Sequence, residues 1–109
     1  MINNEFTKGK MFNFNNEIEY AQGSVVSKII LKKESGNVTI FSFDKGQNLS
    51  EHTAPFDAMI QVIEGEAEIT INKEPFMLKA GENIIMPANI PHAVDALTKF
   101  KMVLTMIKS

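Results

Sequence analysis

The chain has 109 residues, 44% of them hydrophobic and 22% charged, which suits one ordinary folded domain and leaves no room for a second core. It has no cysteine, so disulfides, thiolate metal sites and thiol nucleophiles are excluded together. The net charge is −2 and all 11 basic residues are lysine; without arginine, bidentate grip on phosphate is missing, and neither nucleic acid nor a strongly anionic ligand is expected as a partner.

In chain order, residues 1–10 are polar and read as a segment that docks late, if at all. Residues 10–20 mix Phe12, Phe14 and Tyr20 with asparagines. They read as an edge strand, or as an arm that packs on a partner subunit. Residues 1–23 are thus set apart from a barrel over 24–109. From Ser24 to Lys33 the chain is rich in Val and Ile, with Val25, Ile29 and Leu31 expected on one face. A turn around Gly36 leads to a strand over Val38–Phe43, closed by Asp44-Lys45-Gly46.

The clearest periodicity lies at Glu64–Asn72. Glu66, Glu68, Thr70 and Asn72 alternate with Ala67, Ile69 and Ile71, the pattern of a half-buried strand. Gly65 stands at its entry, and Glu64, Glu66 and Glu68 read as a solvated face. Asn72-Lys73-Glu74-Pro75 turns the chain, and Phe76 and Leu78 then alternate with Met77 and Lys79. Ala80-Gly81-Glu82 turns again. Ile84–Met86 is a short strand stopped by Pro87, and Pro87 and Pro91 stiffen the loop that delivers His92. The last strand, Lys99–Ile107, places Phe100, Met102, Leu104 and Met106 on one face and Lys99 and Lys101 on the wet one. The methionines, Met59 and Met77 among them, read as core filler or pocket lining.

Many short strands with Gly, Asn and Pro turns, and no helical repeat, predict an all-β sandwich or closed barrel. Two stretches sharpen this. Gly46 through His52 and Ala54 to Gly65, and Gly81 through Pro87 to Pro91-His92, resemble the first and second motifs of the cupin superfamily. The resemblance implies a double-stranded β-helix, or jelly-roll barrel, in which inward side chains from distant strands meet in one cavity.

In metal-bearing cupins the two motifs supply three histidines and a Glu or Gln. Carried onto this chain, His52 and His92 match two of these positions, while Ala54 and Ala58 stand at the other two. A catalytic zinc normally keeps three protein ligands, and a non-haem iron two histidines and a carboxylate. Any divalent transition metal held by His52 and His92 is therefore expected to bind weakly. Asp57 is the candidate third ligand, with Glu51 and Asp95 behind it.

The favoured expectation is a small-molecule binder. Its pocket is lined by Ala54, Ala58, Ile60, Val62, Met86 and Met102, with His52 and His92 as polar orienting groups for a small, mostly uncharged ligand. The alternative is an enzyme. It is either a metal-dependent dioxygenase or isomerase type with a reduced ligand set, or a metal-free one with a histidine as general base. A third reading is a regulatory domain acting through an oligomer. A homodimer is expected from the exposed aromatic groups of the N-terminal segment. Neither a leader-like stretch nor a membrane-spanning run is read from the sequence, which predicts a cytoplasmic protein.

Overall fold

The computed structural model describes residues 6–108. Residues 1–5 of the expected arm and Ser109 lie outside the described part. Nine strands follow in chain order: β1 Val25–Lys33, β2 Gly36–Phe43, β3 Asn48–His52, β4 Asp57–Glu64, β5 Glu66–Ile71, β6 Glu74–Lys79, β7 Asn83–Met86, β8 His92–Ala96 and β9 Phe100–Ile107. They form two antiparallel sheets. The larger has the order β1-β2-β9-β4-β7 and the smaller β3-β8-β5-β6. The expected jelly-roll barrel is the fold observed.

The inner faces carry the alternation that the sequence displays. Phe43, Ile60, Val62, Ala67, Ile69, Val94, Phe100 and Met102 are all sealed in one core. Phe43 and Phe100 are cross-strand partners and stack at 4.5 Å between ring centroids, a contact worth about 0.5–1.5 kcal/mol beyond the area it buries. Asn72 and Lys73 both have positive φ, 50° and 68°, which gives the β5–β6 hairpin a two-residue turn whose twist matches its strands.

A single residue, Gly65, joins β4 in the large sheet to β5 in the small one. Its φ is +77°, and a Cβ there would sit 2.0 Å from the Lys99 carbonyl oxygen. The corner is built around the missing side chain.

The outer face of the large sheet differs from expectation. No strand forms among the described residues before β1; residues 14–16 make one 3-10 turn capped by the Asn13 side chain. The segment folds onto its own barrel. Phe6, Phe14 and Ile18 pack with Ile30, Ile40 and Val103 into a second apolar cluster.

Lys101, expected on a wet face, is instead only 7% exposed. The N-terminal segment covers it, and its ammonium donates to the Asn15 carbonyl at 2.9 Å and lies 4.0 Å from Glu64. Glu64 is likewise not simply solvated, since it accepts the Tyr20 hydroxyl proton. Burial and the Glu64 carboxylate push the Tyr20 pKa well above the ordinary phenol value.

Two further differences are local. An irregularity between Ile29 and Leu31 breaks the predicted face of β1, burying Ile30 and leaving Leu31 exposed. Met77 is no core filler; it stands 61% exposed on β6.

The Gly65 corner yields a direct test. Replacing Gly65 by alanine forces both the left-handed backbone and the carbonyl clash, and should cost at least about 2 kcal/mol. Gly46→Ala shares the positive φ but meets no atom within 4 Å, and should cost about 1–2 kcal/mol. Urea denaturation of both variants measures the difference. Equal costs would show that the clash relaxes freely.

Candidate functional site

His92 opens β8, and its side chain shares the inward face of that strand with Val94 and Ala96. His52 closes β3, the neighbouring edge strand. Regular alternation would put Leu49 and His52, three residues apart, on opposite faces. The β3–β8 register shifts between Leu49 and His52, so that His52 becomes the cross-strand partner of His92. The two rings meet edge to face, with centroids 4.4 Å apart. Their Nε2 atoms are 3.1 Å apart.

The opposite nitrogens are oriented by backbone. His52 Nδ1 lies 2.7 Å from the Ser50 carbonyl and His92 Nδ1 lies 3.2 Å from the Ile90 carbonyl. A carbonyl only accepts, so both Nδ1 atoms carry hydrogen. In the neutral tautomers both Nε2 atoms then present lone pairs, and the lone pairs face each other. That arrangement is repulsive unless a positive centre enters. One proton on the pair turns the contact into an Nε2–H···Nε2 hydrogen bond.

His52 is exposed while His92 is only 6% exposed. Burial first, and then the neighbouring His52 ring, hold the His92 pKa below the ordinary imidazole value, against a smaller opposing pull from the Ile90 carbonyl. The buried ring is the costlier place for charge.

The remaining expected site residues separate into groups. Ala58, Ile60 and Val62 run down the inward face of β4, with Met86 paired to Ala58 and Met102 paired to Val62. All five are buried in the main core. Ala54 is half-buried in the β3–β4 loop, and its carbonyl accepts from Asn89 N–H at 2.7 Å. Asp57 points its Oδ1 at the Ala88 N–H, at 2.8 Å. These two bonds clasp the β3–β4 loop to the Pro87–Pro91 loop that carries His92. Glu51 pairs at long range with Lys73, 3.9 Å away. Among the described residues no three His, Cys, Asp or Glu side chains converge on a point that could hold a metal. The structure joins His52 to His92 and does not bring Asp57, Glu51 or Asp95 to them.

The sequence reading missed the Ser50 and Ile90 carbonyls. Each lies two residues before its histidine, and since every residue has a carbonyl at that distance, the sequence carries no signal for either contact.

As a donor set, the pair meets part of what a metal requires. Two nitrogens 3.1 Å apart can both reach one ion at bonds of about 2.0–2.1 Å, and Nδ1–H held by a backbone carbonyl is the usual support of a metal-bound histidine. The third protein ligand of a catalytic centre is not supplied.

A cupin domain model matches residues 39–108. A conserved protein of unknown function from Streptococcus pyogenes is 37% identical, with 99% of this chain and 94% of that one covered at a TM-score of 0.91. A cupin 2 conserved barrel domain protein from Leptotrichia buccalis is 43% identical over 89% of this chain, which spans 47% of that chain, at a TM-score of 0.86. A cupin superfamily protein from Desulfitobacterium hafniense shares the fold at a TM-score of 0.87, with 23% identity and 100% and 99% of the two chains covered. No curated protein matches the chain.

The depressed His92 pKa fixes a pH dependence. The unfolded chain takes up its histidine proton near about pH 6.5, while folded His92 resists it to lower pH. The stabilisation from keeping His92 neutral is therefore complete above about pH 6.5 and is lost as pH falls through the folded pKa. Proton NMR should show His92 titrating below an ordinary histidine. The pH dependence of urea stability below neutrality should flatten in His92→Gln. An unchanged slope in that variant would remove His92 as its source.

Proposed function

We propose a ligand-binding function on the premise that the chain belongs to the cupin domain family: the barrel takes a small, mostly uncharged molecule at its mouth, oriented by His52 and His92. The observation that carries this reading is the facing pair of Nε2 atoms, 3.1 Å apart, each backed by a carbonyl on Nδ1. A carbonyl or hydroxyl oxygen of a ligand can accept from a protonated Nε2, and a hydroxyl or amide can donate to a neutral one. The ligand thereby replaces an unfavourable contact between two lone pairs.

The surroundings favour an uncharged guest. His92 is paired across the sheet with Ile71, and the Ala58–Met86 pair is apolar. No arginine is present to hold an anion. Ala54 and Ala58 put uncharged methyl groups at the two remaining motif positions.

The second reading is a weakly held divalent transition metal on His52 and His92. The orientation of both Nδ1 atoms supports it. The donor set is short of a catalytic centre, so no reaction step is derived through such an ion. What these residues do is present two nitrogens and hold their hydrogens on the opposite side of each ring. The functional unit is read as a homodimer. Met11 and Phe12 remain exposed even though their segment is packed on its own barrel. No helix among the described residues is long and apolar enough to cross a membrane. The lack of cysteine supports a cytoplasmic setting.

Two titrations test these readings. A panel of small neutral hydroxy and carbonyl compounds, followed by protein NMR, should move the His52 and His92 ring signals. The His52→Phe/His92→Phe double variant should lose that binding. Binding that survives the double variant places the ligand elsewhere and sinks the first reading. Zinc added to the wild type should bind at micromolar strength or weaker and be removed by a chelator. Ala54→His should tighten it by at least about tenfold if a third imidazole completes the set. No change in zinc affinity would reject the assignment of Ala54 to a ligand position.

A further inference from the structure

The loop that delivers His92 runs from β7 in the large sheet to β8 in the small one. Its backbone is caught at three points by three different parts of the chain. Ala88 N–H donates to the Asp57 carboxylate at 2.8 Å. Asn89 N–H donates to the Ala54 carbonyl at 2.7 Å, and the Pro91 carbonyl accepts from Asn72 N–H at 2.8 Å. The carbonyl between these anchors, on Ile90, is the one that faces His92 Nδ1. Asn89 has a φ of +65°, the left-handed conformation that asparagine tolerates better than most residues. Two of the anchors join backbone to backbone, while the one at Ala88 is made by a side chain. Its place follows from the ladder. The β4–β7 pairing ends at Ala58↔Met86, and one step further in the same register Asp57 falls opposite Pro87, which has no N–H to give. The Asp57 carboxylate reaches past the proline to the next N–H.

We propose that Asp57 is a positioning residue for the histidine pair: by holding Ala88 N–H it fixes the Ile90 carbonyl, and through it the nitrogen of His92 that carries hydrogen and the direction in which Nε2 faces His52. The inference deepens the ligand-binding reading above and rests on it for its purpose. It gives the Asp57 carboxylate a role other than metal ligand. The line of contacts is short. Ala88 N–H and the Ile90 carbonyl are two residues apart, and the backbone is pinned on both sides of Ile90. A neutral imidazole can place its hydrogen on either nitrogen, and the acceptor it meets decides which. With the hydrogen on Nε2, His92 would lose the lone pair that it presents to a guest. His52 needs no such mount, because its carbonyl partner, Ser50, lies within β3 itself. The role calls for an acceptor oxygen and not for a charge. A carboxamide serves it as well as a carboxylate, which separates positioning from ligation.

Nitrogen-15 NMR of the histidine rings in the full chain, free of metal and guest, reads the tautomer directly, so its outcome does not depend on whether any guest binds. In alkaline buffer, where imidazoles are neutral, wild-type His92 should carry its hydrogen on Nδ1. Asp57→Ala should give mixed tautomers at His92 while His52 keeps its Nδ1–H. Asp57→Asn, which retains an acceptor oxygen, should restore the wild-type signal. Zinc alone is the second probe. Its affinity should fall at least about threefold in Asp57→Ala, short of the roughly tenfold or greater loss that follows removal of a direct partner of a ligating histidine, and should recover in Asp57→Asn. An unchanged His92 tautomer in Asp57→Ala overturns the proposal, as does a wild-type His92 with its hydrogen on Nε2. Zinc affinity lost equally in both variants overturns it too, since the carboxylate would then act as a ligand or as a nearby charge. Amide exchange in the wild type covers the case in which Asp57→Ala does not fold. Ala88 and Asn89 N–H should both be protected, and a fast-exchanging Ala88 N–H overturns the anchor.

Discussion

The whole barrel hangs on the fact that β4 and β5 are separated by one residue yet lie in different sheets. A chain can change sheets that abruptly only where the backbone takes a positive φ and nothing projects from it. Gly65 meets both conditions, with Lys99 O and the Phe100 side chain occupying the space a methyl would need. Once the corner is set, Val62 and Ala67 fall on inner faces on either side of it. Phe100 closes over the corner and stacks on Phe43. The registers of β9 with β2 and β4 follow from that anchoring, and so does the end of the barrel at which the histidines meet.

That end was partly legible in the sequence. The strict alternation of Ala67, Ile69 and Ile71 with acidic and polar neighbours names an inner face without ambiguity, and the two motifs place His52 and His92 on one barrel. Their mutual orientation was not legible. It depends on an irregularity in β3 between Leu49 and His52, and a bulge reverses the parity by which faces are read from a pattern. The same cause hid the burial of Ile30 behind the break in β1. Lys101 failed for another reason. Its alternation with Phe100 and Met102 correctly gives the outer face. An outer face is wet only if nothing covers it, and here the N-terminal segment supplies a third layer. Long-range coverage leaves no trace in local periodicity.

The site's chemistry rests on backbone carbonyls rather than on additional side chains. Two carbonyls, from Ser50 and Ile90, decide which nitrogen of each ring holds hydrogen, and therefore what the pair can do. With Ala54 and Ala58 in place of further ligands, the proposed action of the two histidines on a guest is that of two hydrogen-bonding groups. A shared proton serves the same end. Buried His92 is the costlier place for that proton, in agreement with its depressed pKa.

The loop that carries His92 is held from the outer side of β4 by Asp57. This residue opens β4 in the outward row that also holds Ile107 and Lys33, and its Oδ1 accepts from Ala88 N–H. Ala88 belongs to the loop between Pro87 and Pro91, whose stiffness aims His92. The clasp from Asn89 N–H to the Ala54 carbonyl ties the same loop to the segment leaving His52. The two loops that carry the histidines are thus fastened to each other, and the spacing of the rings depends on that mount.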